Sequence, residues 1–445
     1  MKQIAWIISP PAKGSGGFRT ICSKASFLDS RGYENYFYIM PGCEAYKSAH
    51  RVQTEIKDWF GYSPKEVLVA PSVPEDFFAV IATAWNTAHF ASMQKCTHKF
   101  YFIQDFEPWF YPMGEMYLNA EASYRYELNP ITIGRWLSKK VEPYYSHEVP
   151  YCDFGVSDIY TAQEQNLSRE YAVCAIYQSN KDRRLSGMLL DAIKLLLKLD
   201  DAVVVYLYGE DAMPPIRDPR VRSLGILTAD ECASLYAKCV AGVSLSVTNP
   251  SRLPFEMLAS KLSVIEINRE NNLLDFPEGT IHLAEPSACG IASSILEALS
   301  GSKCDSPNRF SCTSIERENE MFFEAFTRYL NEEPSLVSGK SAFGNVLKTE
   351  ELSKVFLLSD HLADARLRSS AMSQTLIQAS SVDMTVRFES SLMPVDVRAA
   401  VWCALDQSDI RWISLESRDG LFAGHVPLFL NDDEEAYLRI HIYSF

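Results

Sequence analysis

Nowhere does this chain hold the ~20 consecutive apolar residues that a bilayer-spanning helix needs, so no helical membrane span is expected. Its start, MKQIAWIISPPAKG, carries a short apolar run cut off by two prolines. That run is too short for a secretion signal and reads as a first buried strand. A basic surplus is also absent: 42 Lys and Arg stand against 57 Asp and Glu, a net charge of −15. A general nucleic-acid binder needs a basic face to displace counterions, and purely electrostatic docking on anionic lipid needs one too. Both are disfavoured. The 11 cysteines lack CxxC pairs and any even-spaced framework. They read as small buried apolar residues in a reducing compartment, with neither zinc nor disulfides expected. Together these absences imply a cytoplasmic protein.

What is present suits a globular chain, with 47% apolar and 22% charged residues. Its 445 residues exceed one ordinary core and suggest two or three domains. The first third alternates strand candidates (Ile4 to Ile8, Glu34 to Ile39, Glu66 to Val69, Phe78 to Ala82, Lys99 to Gln104, Ile131 to Ile133) with helical patterns at Phe18 to Ser30 and Arg135 to Val141. A second series follows Asp153-Phe154-Gly155. Its strands are Tyr171 to Tyr177, Ala202 to Tyr208, Ala241 to Val247 and Ser263 to Ile267, and its helices are Gly187 to Lys198, Thr228 to Lys238 and Phe255 to Lys261. Strands separated by helix-length segments indicate parallel sheets covered on both faces. The expected fold class is α/β, with two Rossmann-like domains (1–155 and 156–335) facing a cleft.

From about Asn331 the texture changes. Glu332 to Lys348 reads as a connector, followed by a helical stretch. Period-2 runs then appear at Val382 to Glu389, Val397 to Trp402, Trp412 to Leu415 and Tyr437 to Ile442, with turns at Asp419-Gly420 and Asn431-Asp432. They predict an antiparallel, sandwich-like accessory module over 336–445. The last run nearly reaches the terminus, as expected of a truncated chain.

Three constellations could carry chemistry. The turn Gly14-Ser15-Gly16-Gly17 follows the first strand, but Arg19 stands where a dinucleotide fingerprint needs its third glycine, and no GxxxxGK[ST] run exists. A flexible turn remains, and Gly16 and Gly17 let backbone N–H groups approach a phosphate. Ser179 to Gly187, SNKDRRLSG, places Lys181, Arg183 and Arg184 after the first strand of the second domain, where an α/β sheet presents its ligands. Such a cluster can neutralise a diphosphate. Thr248 to Ser260, TNPSRLPFEMLAS, sets Glu256 near a helix start just after Arg252 and Pro254, where a carboxylate can accept hydroxyls such as those of a ribose beside an anion site. His89, Asp105, Glu107 and Trp85 lie near strand ends of the first domain and are candidates for acceptor hydroxyls. Trp109 and Tyr111 could stack on sugars.

In order and spacing, these motifs resemble the GT-B fold of retaining nucleotide-sugar glycosyltransferases. The resemblance runs through DFGVSDIY (Asp153 to Tyr160), the basic loop, VVVYLYGED (Val203 to Asp211), LGILTADECASLYAKC (Leu224 to Cys239) and SLSVTNPSRLPFEMLAS, over roughly residues 1 to 330. YFIQDFEPWFYPMG and ATAWNTAHF are similar to the rhamnosyltransferase branch. The resemblance implies a glycosyltransferase that builds bacterial surface polysaccharide such as O-antigen, with dTDP-rhamnose as the expected donor. Lys181, Arg183 and Arg184 would stabilise the leaving diphosphate, while Gly16, Gly17, Thr248, Arg252, Pro254 and Glu256 would hold the donor. It also implies a nucleotide-sugar co-substrate without a metal, a glycan or lipid-linked glycan acceptor, and polysaccharide-assembly partners at the inner face of the membrane. A homo-oligomer is left open. One departure stands out: many relatives carry two glutamates eight positions apart in the last turn, and here Thr248 replaces the first. Two alternatives follow, a mannosyl- or other hexosyltransferase using a GDP- or UDP-sugar, and a catalytically silent scaffold.

Overall fold

The computed structural model describes residues 2–39, 49–69, 72–145, 147–162, 169–301, 312–331, 340–341, 344–345, 381–387, 397–402, 411–418, 421–427 and 439–444. The chain forms two compact units, Met1–Val346 and Leu347–Phe445. Strands β1 (Lys2–Ile8), β2 (Tyr33–Ile39), β3 (Glu66–Val69), β4 (Ala79–Ala82), β5 (His98–Ile103), β6 (Asn129–Ile133) and β7 (Tyr151–Cys152) make one parallel sheet in the order β3-β2-β1-β4-β5-β6-β7. A crossover strand, β8 (Gly155–Val156), leads to β9 (Glu170–Ile176), β10 (Val204–Tyr208), β11 (Val221–Ser223), β12 (Cys239–Val243), β13 (Ser263–Ile267) and β14 (His282–Ala284). These six pair in the order β11-β10-β9-β12-β13-β14. Both orders reverse beside the first strand of their sheet, and that switch point is where open α/β sheets bind ligands.

The central strands are buried on both faces, so they read as continuous apolar runs: Ile4 to Ile8 and Ala79 to Ala82 are fully buried. Helices α1 (Gly16–Ser30), α2 (Ala49–Phe60), α3 (Trp85–Met93), α4 (Glu115–Ala122) and α5 (Arg135–Val141) accompany the first sheet. The Ser15 hydroxyl caps α1 by accepting from the Phe18 amide, and Phe18, Ile21, Cys22, Ala25 and Leu28 form its buried stripe. In the second lobe lie α6 (Ser186–Leu199), α7 (Ala229–Lys238), α8 (Leu253–Ala259) and α9 (Ala288–Leu299). A Thr228–Glu231 capping box starts α7. Strand β12 ends four residues before the expected Val247, where the Ser246 amide donates to the side-chain carboxylate of Glu266 (3.0 Å) in place of a backbone carbonyl of the neighbouring strand.

The last helix of this unit, α10 (Ile315–Asn331), follows the second sheet in sequence but packs on the first. Phe322 stacks on Trp6 at 6.2 Å, Phe326 meets Phe100 at 4.6 Å, and the Tyr329 hydroxyl donates to the Pro130 carbonyl. Just before it, β15 (Thr313–Ser314) pairs with β8. This return brings Glu318 into a fully buried site between the lobes. Its carboxylate lies 2.6 Å from Lys24 Nζ on α1 and 3.0 Å from Arg252 Nη2 at the start of α8, and accepts the Gly155 amide at 2.6 Å. A Cβ on Gly155 would stand 2.7 Å from that carboxylate, so the close approach requires glycine. Burial alone raises the pKa of Glu318, but Arg252 and Lys24 outweigh it and hold the carboxyl down to about 2.

A hairpin of β16 (Lys340–Ser341) and β17 (Gly344–Asn345) ends the first unit. In the second unit, β18 (Ser381–Arg387), β19 (Val397–Trp402), β20 (Arg411–Arg418), β21 (Leu421–Pro427) and β22 (Arg439–Ser444) form an antiparallel sheet in the order β18-β21-β20-β19-β22. Four of these match expected runs, while β21, interrupted by Gly424, was not expected. The turns at Asp419-Gly420 and Asn431-Asp432 and the expected helical stretch lie outside the described residues. Six of the eight described cysteines are buried thiols.

Glu318→Gln keeps the shape and removes the charge, leaving two buried cations uncompensated. A loss of about 3–5 kcal/mol in denaturant unfolding is expected, against less than about 1 kcal/mol for Glu320→Gln on the exposed face of α10. The folded pKa lies below the ~4.3 of an unfolded glutamate. The contribution of Glu318 is therefore complete above that value and lost as pH falls toward about 2. Equal losses in the two variants would remove Glu318 from its role.

Candidate active site

A cavity of about 560 Å³ opens between the lobes at the carboxyl ends of both sheets, within the ~300–1,000 Å³ usual for small-molecule sites. The first lobe supplies the turn Ala12 to Gly17, Arg19 and Thr20 in the first turn of α1, and Gln104, Asp105 and Glu107 after β5. From the second come Gln178, Lys181, Arg183 and Arg184 after β9, Tyr208 and Gly209 after β10, and Asn249 to Leu253 with Glu256.

The three cations differ in state. Lys181 is half-buried and donates to Gln178 Oε1 at 3.2 Å, and it forms no ion pair among the described residues. Burial, with Arg183 and Arg184 nearby, pushes its pKa down to about 8. Arg183 reaches across to Asp105, with Nη1 2.9 Å from Oδ2, and its guanidinium lies 5.0 Å from the Phe110 ring centre. Arg184 is 4% exposed and backs the other two. Its Nη1 donates to the Leu245 carbonyl at 3.4 Å, its Nε has no partner, and burial lowers its pKa to about 10.

Asp105 is more constrained than a contact for an acceptor would be. Oδ1 accepts the Asn249 amide (2.8 Å) and its own neighbour's amide at Phe106 (2.9 Å), while Oδ2 accepts Thr248 Oγ1 (3.0 Å) besides Arg183. Burial raises its pKa, with Arg183 the largest opposing influence. Thr248 is fully buried against this carboxylate. Glu107 also lines the cavity; burial raises it to about 8, and it accepts the Trp85 amide and the Tyr101 hydroxyl. A carboxyl raised that far carries its proton for much of the time at neutral pH.

Trp85 and His89 are not brought to the cavity wall. The Trp85 indole donates to the Tyr111 hydroxyl at 3.1 Å, and His89 sits on α3 with its ring 5.7 Å from Tyr126. Trp109 packs on Trp136 at 5.6 Å, under the Lys140 ammonium.

In the TNPSRLPFE segment, Glu256 is 4% exposed, its pKa raised by burial against Arg252 and Arg19, with the Tyr160 hydroxyl in hydrogen-bonding reach. At this helix start the Phe255 and Glu256 amides both donate to the Arg252 carbonyl (3.1 Å each), and Pro254 has no N–H and lies buried off the cavity. Arg252 faces the cavity, but its guanidinium is held by Glu318, the Thr20 hydroxyl and the Gly155 carbonyl. At α1, Gly16 and Gly17 open the helix at the cavity edge, where the first amides have no intrahelical acceptor. Arg19, Tyr160, Asn249 and Ser251 were missed. Arg19 counted only as a broken fingerprint, although one turn after Gly16-Gly17 it lies on the same face. Asn249 Oδ1 and Ser251 Oγ are buried without partners in the cavity wall.

Cations in the second lobe thus face open amides in the first, with a carboxylate to one side. Among the described residues no three His, Cys, Asp or Glu side chains converge as metal ligands, and no helix is long and apolar enough to cross a membrane.

Residues 172–296 match the family described as "WsaF, C-terminal domain". The O-antigen biosynthesis protein RfbC of Myxococcus xanthus is 26% identical over 271 residues, 59% of this chain and 21% of that protein. The chain therefore spans about a fifth of that curated relative's length. Among solved structures, a glycosyltransferase from Rickettsia africae aligns with TM-score 0.53 and 13% identity, over 75% of this chain and 99% of its own. Anabaena Alr3699/HepE in complex with UDP and glucose gives 0.53 and 12%, over 74% and 100%. A UDP-N-acetylglucosamine 2-epimerase assignment from Listeria monocytogenes gives 0.52 and 10%, over 74% and 96%. The first unit therefore has the GT-B fold, two Rossmann-like lobes around a cleft. That fold also serves the epimerase, so chemistry must be argued from the site.

Two outcomes follow. A Cβ on Gly16 meets no atom within 4 Å, so Gly16→Ala is expected to keep its Tm and weaken pyrophosphate binding by entering the ligand's space; unchanged binding would put the anion elsewhere. The charged form of Lys181 attracts the anion, so calorimetric affinity for pyrophosphate should fall as pH rises through about 8 relative to Lys181→Arg, which stays charged. Parallel profiles would contradict this.

Proposed function

We propose that this chain is a glycosyltransferase that moves a sugar from a nucleoside-diphosphate donor onto a growing bacterial surface polysaccharide. The observation that carries the reading is the pairing of Lys181 and Arg183 with the Gly16–Gly17 amides across one cavity, with Glu256 in its wall. A diphosphate is the ligand that needs such a set, and the part of the Myxococcus relative in O-antigen biosynthesis supports polysaccharide assembly.

During transfer, positive charge grows at the anomeric carbon and negative charge on the departing diphosphate. Lys181 and Arg183 neutralise the latter from fixed positions in a water-poor site, the kind of contribution that often dominates catalysis. Arg184 supports them from behind. Glu256 accepts the ribose hydroxyls. A diphosphate oxygen takes the acceptor proton. No metal is required. The donor we favour is dTDP-rhamnose; a UDP-sugar is the second reading, favoured by the HepE structure solved with UDP and glucose.

Thermal-shift measurements with dTDP, UDP and GDP test the reading. One of them at 100 times its Kd should stabilise by roughly 2.7 kcal/mol through mass action. The gain should vanish in Lys181→Ala while its unliganded Tm stays unchanged or rises, since a half-buried cation is removed. Stabilisation by none of the three would overturn the assignment.

A further inference from the structure

Arg183 reaches the cavity already paired, whereas Lys181, two residues earlier, does not. Its partner, Asp105, belongs to the other lobe, and both line the cavity. The two oxygens of that carboxylate are held differently. Oδ1 is anchored by backbone amides of Phe106 and Asn249, which cannot leave without unfolding the turn. Oδ2 is held by side chains, Arg183 at 2.9 Å and Thr248 at 3.0 Å, which can change partner.

We propose that Asp105 is a positioning residue that stands in for the donor's phosphate: it holds Arg183 at the cavity wall until a diphosphate takes over the guanidinium, and the released Oδ2 then accepts a hydroxyl of the bound sugar. This rests on the nucleotide-sugar reading above. A largely desolvated guanidinium needs an anion throughout, and exchanging a carboxylate for a phosphate never leaves it bare. The Phe110 face at 5.0 Å keeps it in place during the exchange. Release also leaves a buried carboxylate short of one donor, which a sugar hydroxyl restores. Donor binding and sugar reading are thereby coupled through one oxygen atom.

Asp105→Asn separates this role from a structural one. Its amide oxygen still accepts the Phe106 and Asn249 amides, while the internal competitor for Arg183 is gone. By isothermal titration, pyrophosphate is expected to bind Asp105→Asn roughly five- to tenfold tighter than wild type, the scale of one partly screened ion pair. A purely structural clamp gives weaker or equal binding. The gain should disappear when Arg183→Ala is combined with it, and Asp105→Glu, which keeps the charge, should show none. Asp105→Ser, which retains an acceptor for the Asn249 amide, is the second variant if Asp105→Asn does not fold. Measurable wild-type binding without tightening in the variant overturns the exchange alone. Absence of pyrophosphate and nucleoside-diphosphate binding in wild type overturns the proposed function and this inference with it.

Discussion

The arrangement depends on a buried carboxylate that is neutralised from both lobes at once. Glu318 reaches the interface because α10 turns back across the first sheet, and there it meets Lys24 from one lobe and Arg252 and the Gly155 amide from the crossover and the other. A lone ion in that place would be very costly, and so would either cation without it. The three charges are tolerable only together. The lobes are thus held at one separation by the same requirement that keeps the three charges together.

Two further links span the cleft. Asp275 of the second lobe accepts the Arg135 and Trp136 amides at the start of α5 in the first. Asp105 ties the first lobe to Arg183, Thr248 and Asn249 of the second. Gly134, at φ +89 with Phe154 2.8 Å from where a Cβ would stand, permits the close approach between these links. The fixed separation turns two half-sites into one cavity. Neither the Gly16–Gly17 amides nor the basic loop could hold a diphosphate from both sides alone. The Asp105 tie differs from that of Asp275 because it is made in part to a cation that also faces the cavity, so ligand binding and lobe contact meet at one guanidinium.

Much of this was legible in the sequence because parallel strands buried on both faces announce themselves as apolar runs, as β13 does on the expected residues; the helical and period-2 patterns likewise place α5 and β19 where expected. The basic loop was legible for a related reason: a charged cluster directly after such a strand must emerge at the ligand edge. What the sequence hid is long-range. Nothing local to Ile315–Asn331 says that this helix covers the first sheet, or that Glu318 pairs with Lys24, 294 positions away. Arg252 and Asp105 showed their charge in the sequence but not the partners that hold them, Glu318 for one and Arg183 for the other. Trp85 and His89 lie off the cavity wall for the opposite reason, since residues near a strand end can also turn into the packing of the next helix, as α3 does.

The central claim is that the lobes, held by Glu318, bring Lys181 and Arg183 opposite Gly16 and Gly17 around one anion. A crystal structure of the chain grown with the nucleoside diphosphate that stabilises it most would test this directly. The account predicts a diphosphate bridging the Lys181 ammonium, the Arg183 guanidinium and the Gly16–Gly17 amides, with the ribose against Glu256. A nucleotide bound outside the cleft, or inside it with Lys181 and Arg183 turned to solvent, would contradict it.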